Sequence, residues 1–93
     1  MSQVLKPNAQ TLINAQNYQI ACALSVAYDA ARELLNAGVP MYEITMRDSF
    51  VHMTCGDASA IPGVAIMSTV YRVGKTVTRA SLLGCVLEWE GIA

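Results

Sequence analysis

The stretch LINAQNYQIACALSVAYDAARELL, Leu12 to Leu35, decides the fold. Ile13, Ile20, Leu24, Ala27, Ala31 and Leu34 recur at helical spacing, with no Pro or Gly among them. From Ile20 the steps are four, three, four and three, which lays these side chains along one stripe of an α-helix. The opposite face is unusual. Ala21, Cys22, Ser25 and Tyr28 carry little polarity, and no charge occurs from Ile20 to Tyr28. A helix covered on one side only by its own sheet normally carries a charged outer face. This pattern predicts a helix covered on both sides, with Tyr18, Cys22, Ser25 and Asp29 forming a self-association face that meets the same face of a second copy.

Asn8 or Thr11 supplies the helix cap, after a loose arm over residues 1–7. A helix from there to Asn36 has about 28 residues and runs ~42 Å. That exceeds the width of so small a domain, so it must overhang or bend near Asn14–Asn17. Gly38 suits the left-handed residue past a helix, Val39 can fold back onto Leu34, and Pro40 stops continuation.

Alternation follows. Tyr42, Ile44 and Met46 point one way, Glu43, Thr45 and Arg47 the other, and the pattern returns from Phe50 to Cys55 after Asp48–Ser49. Pairing Arg47 with Phe50 sets Met46 opposite Val51, Ile44 opposite Met53 and Tyr42 opposite Cys55, which makes one face apolar. Gly56 to Gly63 reads as a loop, and strand signals resume over residues 64–73, although Ile66 to Thr69 also fits a helical turn. Gly74–Lys75 and Leu83–Gly84 supply two further turns. In this register Thr78 faces Trp89, Ala80 faces Leu87, Leu82 faces Cys85, and Arg79 sits opposite Glu88 as a favourable pair. Met67, Tyr71, Ala80, Leu82, Leu87 and Trp89 form the apolar face for the helix to cover. The expected architecture is a single α+β domain over residues 1–93: one long N-terminal helix on an antiparallel meander of four to five strands.

Composition narrows the function. The 93 residues are 54% hydrophobic and 14% charged, against ~25% charged in an ordinary soluble domain, so neutral surface is left over for an oligomer or a partner. Net charge is −1 and the carboxylates are scattered, which argues against both a nucleic-acid surface and an acidic mimic of one. Cys22, Cys55 and Cys85 lack disulfide-framework spacing and read as small buried thiols of a cytoplasmic protein. No basic-then-apolar leader pattern is present, and Ile20–Tyr28 is too short to span a bilayer, so no membrane association is expected.

Catalytic signals do not converge. Val73-Gly74-Lys75-Thr76 ends like a phosphate-binding loop, but Thr69 stands where the pattern needs a second glycine, so a hairpin turn is the better reading. His52 and Cys55 are an odd step apart on one strand and face opposite sides, so neither a zinc site nor a Cys–His nucleophile forms there. No metal, cofactor or enzymatic activity is expected. Met46, Met53 and Met67 are read as core, and Tyr18 and Tyr28 as interface. On the outer face of the first hairpin Phe50 stands in a polar row between Arg47 and His52; it either anchors a partner, as Arg and aromatic residues commonly do, or covers a neighbouring strand or the N-terminal arm.

Leu34-Leu35-Asn36-Ala37-Gly38-Val39-Pro40 and the closing Leu83-Gly84-Cys85-Val86-Leu87-Glu88-Trp89-Glu90 resemble small accessory proteins of bacteriophages and prophages. The resemblance implies no activity. It implies a protein that binds and blocks a host protein, anti-CRISPR proteins being one such class. The expected function is a non-catalytic protein-binding module with Arg47, Phe50 and His52 on the partner side. The alternative is an oligomer that sequesters a small ligand, such as a nucleotide signal, with Arg47, Arg72 and Arg79 as anion contacts.

Overall fold

The computed structural model describes residues 7–47 and 50–92, and within the helix it describes side chains from Asn17 onward. The expected arm therefore lies outside the described residues, save Pro7, which already belongs to the helix. The turn at Asp48–Ser49 and the capping side chains Asn8 and Thr11 lie outside them too.

Helix α1 spans Pro7–Asn36, a single element of 30 residues. It ends as its sequence dictates. Gly38 takes a φ of 72°, the Val39 N–H donates to the Leu34 carbonyl at 2.9 Å, and the Gly38 N–H donates to the Leu35 carbonyl at 3.1 Å. These are the paired bonds of a Schellman cap, and half-buried Val39 closes over the core beside Leu34.

Five strands follow: β1 (Met41–Arg47), β2 (Phe50–Cys55), β3 (Ala65–Arg72), β4 (Lys75–Leu82) and β5 (Cys85–Ile92). The residues left open between strand and helical turn, Ile66 to Thr69, belong to β3, with an irregularity between Ile66 and Ser68. Hairpin registers agree with the sequence pattern. Met46 faces Val51, Ile44 faces Met53, and Arg47 faces Phe50; Thr78, Ala80 and Leu82 face Trp89, Leu87 and Cys85. One pair differs. A bulge between Met41 and Glu43 brings Met41, not Tyr42, opposite Cys55. The β3–β4 turn is also one residue earlier than expected, at Val73–Gly74, because Arg72 pairs with Lys75.

The sheet is not a meander. Its order is β1-β2-β5-β4-β3, with β5 parallel to β2 and every other pairing antiparallel. Burial explains why. Val51, Met53 and Cys55 of β2 and Cys85, Leu87 and Trp89 of β5 are the apolar faces that need cover, so these two strands lie side by side. The segment from Gly56 to Val64 carries the chain across to the far edge, and its Ala58 and Ile61 are buried in the core on the way. Every residue of the edge strands β1 and β3 stays exposed.

Helix α1 packs on β1, β2 and β5. Its buried residues are Ala23, Ala27, Ala30 and Leu34, with Val26 and Ala31 partly buried. This corrects the expected stripe. Ile20 and Leu24 are 53% and 51% exposed, and the line of contact runs along the alanines instead. Small side chains permit a close approach of helix to sheet, and Leu34, fully buried, is the large side chain of the line at its C-terminal end. Met67 and Tyr71 are also exposed and take no part in the covered face, and Met46 lies at the sheet rim, 40% exposed. Of the methionines read as core, only Met53 is buried. The helix overhangs: among the described side chains Asn17 to Cys22 are all exposed and Ala23 is the first that is buried, so at least ~9 Å of exposed helix precedes the packed part.

Candidate contact surface

Alternation on β1 and β2 turns Arg47, Phe50 and His52 to the sheet face away from the helix. Arg47 and Phe50 are direct cross-strand neighbours at the end of the hairpin, and Phe50 is 51% exposed. His52 is half-buried. Its Nε2 donates to Glu88 Oε1 at 3.2 Å, and Arg79 Nε donates to the same oxygen at 3.1 Å. Burial pushes the Glu88 carboxyl up, but the hydrogen bonds and charges of His52 and Arg79 outweigh it and hold the group below its ordinary range. The three expected partner residues thus share one face, with Arg47 and Phe50 exposed at its edge and His52 tied into a polar row.

Tyr18, Cys22, Ser25 and Asp29 are all exposed and lie on one face of α1. At 3.6 residues per turn they point about opposite to the alanine line, straight away from the sheet. Cys22 is therefore an exposed thiol, contrary to the expectation of three buried ones, because the alanines take the positions against the sheet. Cys55 and Cys85 are buried and unpaired. Burial, with the nearby Cys55 adding to it, pushes the Cys85 thiol up to about 11. Burial likewise raises Cys55. Neither is an activated nucleophile. Among the described residues no three His, Cys, Asp or Glu side chains stand close enough to share a metal ion, and no helix is long and apolar enough to cross a membrane.

Sequence reasoning missed a third surface between those two faces. Ile20, Leu24, Tyr28 and Leu35 rise along the flank of α1 that faces β1, and all are more than half exposed. Ala31, on the same flank, lines a shallow apolar groove with Met41, Ile44 and Met53. Tyr28 is held from the other side by the Arg32 guanidinium, 5.8 Å from its ring centre. The hydrophobic periodicity points Ile20 and Leu24 of this flank inward and sets Tyr28 on the outward face, so the pattern does not show the flank as one surface.

The open sheet face carries a second groove lined by Ser68, Arg72, Lys75, Arg79, Glu88 and Glu90. Of the arginines expected to hold an anion, Arg72 and Arg79 meet here, while Arg47 lies on the opposite edge strand. Lys75 pairs with Glu90 and Arg79 with Glu88, each at 3.1 Å, so two of the three cations are already neutralised. The groove can orient a polar surface. It has little net charge left with which to capture a phosphate. Comparison with protein-family models, curated proteins and solved structures finds no match for this chain.

Proposed function

We propose that the protein is a non-catalytic module that works by binding another protein. One observation carries this reading. Among the described residues, seventeen large apolar side chains are at least 40% exposed, whereas only Leu34, Val51, Met53, Ile61, Leu82, Leu87 and Trp89 are buried, which is seven. Scattered exposed apolar residues are ordinary, but contiguous ones mark contact surfaces. The partner side is the hairpin end, where Phe50 lies in the open beside Arg47. The resemblance to phage accessory proteins supports the finer reading of a stoichiometric inhibitor of a host protein. The ligand-sequestering reading has less support, because of its three arginines Arg79 is paired with Glu88 and Arg47 lies on the opposite edge strand from Arg72.

Affinity capture from host lysate with the wild type and with Phe50→Ala tests it. The wild type is expected to retain one protein in stoichiometric amount. Phe50→Ala is expected to weaken that complex by ~2 kcal/mol, the hot-spot scale, while remaining folded. Equal retention by a folded Phe50→Ala would remove the hairpin end from the contact. Failure of the wild type to retain any protein would overturn the proposal.

A further inference from the structure

We infer that the apolar flank of α1 and the adjoining rim of β1 are covered by a second copy of this chain. This surface is separate from the hairpin end, which faces the other side of the sheet. Its helical half is Ile20, Leu24, Tyr28 and Leu35, and its strand half is Met41, Ile44 and Met46. Alternation turns Ile44 and Met46 to the helix side, because they pair with buried Met53 and Val51.

Area supports a stable contact. These seven side chains are between 40% and 68% exposed. At ~200 Å² for a large side chain, half exposure leaves ~100 Å² each and ~700 Å² over the patch. The largest apolar patch on an ordinary monomer is ~300–600 Å², and a standard interface takes ~800 Å² from each partner.

Charge favours a copy over a different partner. In a two-fold contact a patch meets itself, so any net charge on it repels its own image. None of these seven side chains is charged, α1 carries no charge from Asn17 to Tyr28, and the two charges beside the patch, Arg32 stacked on Tyr28 and Glu43 lining the groove, are of opposite sign. The overhang gives the direction. With the two helices antiparallel and the two-fold axis at Leu24, Ile20 of one copy lies against Tyr28 of the other, and the exposed turns from Asn17 to Cys22 run along the neighbour instead of into water. The helix–helix contact then uses the flank toward β1. The outward face of Tyr18, Cys22, Ser25 and Asp29 stays free.

The test is light scattering across a dilution series from about 100 µM, where mass action favours association. The wild type is expected at twice the monomer mass. Leu24→Glu and Leu24→Lys, each checked for a folded circular dichroism spectrum, are expected to be monomeric, with association weakened ~30-fold or more. Mixed in equal amounts they are expected to regain the dimer mass, since at the axis Leu24 meets only its own counterpart. Ser25→Arg is expected to leave the dimer intact. A monomeric wild type would overturn the inference. So would dissociation by Ser25→Arg with none by Leu24→Glu, or a mixture of folded charge variants that stays monomeric.

Discussion

Leu24 and Leu34 are the same residue type on one helix, and the hydrophobic pattern assigns both to the core stripe. The structure separates them: Leu34 is fully buried, Leu24 half exposed. Truncating each to Ala therefore has different costs. Leu34→Ala removes three carbons from a site walled by the sheet and leaves a cavity, a change worth ~2–5 kcal/mol. Leu24→Ala leaves no cavity, because water fills the space, and gives up only the half of the side chain that is sheltered. At ~25 cal/mol per Å² that is ~1 kcal/mol or less, part of it returned by the better helix propensity of Ala. Urea unfolding monitored by circular dichroism reads both. It must be run at several protein concentrations, because a dimer's apparent stability rises with concentration and a monomer's does not. At low micromolar protein the Leu34 variant is expected to lose at least twice as much stability as the Leu24 variant. At high concentration the Leu24 deficit is expected to grow, since the contact to the second copy is lost as well. Equal losses at the two positions, independent of concentration, would refute the alanine-line packing of α1.

Three further outcomes follow from particular residues. Leu83 holds a φ of 53° beside Gly84 in the β4–β5 turn, a conformation that costs a branched side chain ~1 kcal/mol and that Asn tolerates; Leu83→Asn is expected to raise the melting temperature by ~4–8 °C, and no rise would show that the turn is unstrained. Iodoacetamide at about pH 8 is expected to label Cys22 in the folded protein and spare Cys55 and Cys85; because the folded state holds the Cys85 proton up to about 11 against an ordinary 9.0, stability falls as pH rises between those values, and rapid labelling of Cys85 would contradict its burial. Glu88 has the opposite sign: its lowered folded-state pKa gives stability that is present above its ordinary 4.5 and lost as pH falls through the folded value, so Glu88→Gln is expected to flatten the acid limb of a stability–pH curve, and an unchanged limb would show that His52 and Arg79 contribute nothing there.

Local features were legible because local physics fixes them. Gly38, Val39 and Pro40 announce the helix end, and the Schellman bonds form there. Period-two alternation showed which residues of β4 and β5 oppose one another, down to Arg79 against Glu88, and did the same for β1 and β2 short of the bulge, whereas the β3–β4 turn falls one residue from its expected place. The order of the strands was not legible, because it depends on which apolar faces must share one helix. Nothing between Gly56 and Val64 states that the chain will cross the sheet and return with β5 beside β2. The bulge at Tyr42 was hidden for a related reason: alternation cannot show where one residue is extra.

The phase of α1 is the instructive failure. Periodicity weighs residues by hydrophobicity, so it placed Ile20 and Leu24 inside and treated Ala23 and Ala30 as neutral. Packing against a sheet weighs them by size as well, and a row of alanines admits a closer approach than a row of leucines. Within one chain the two criteria conflict, and size prevails: the alanines go in, and the larger side chains are left on the flank. With a second copy on that flank the conflict disappears. The alanine line packs the helix on its own sheet, the Ile20–Leu24–Tyr28 line packs it on its counterpart, and the uncharged run from Asn17 to Tyr28 serves both. A chain with so few charges and so long a helix then has a physical reason for each, which the isolated chain does not provide.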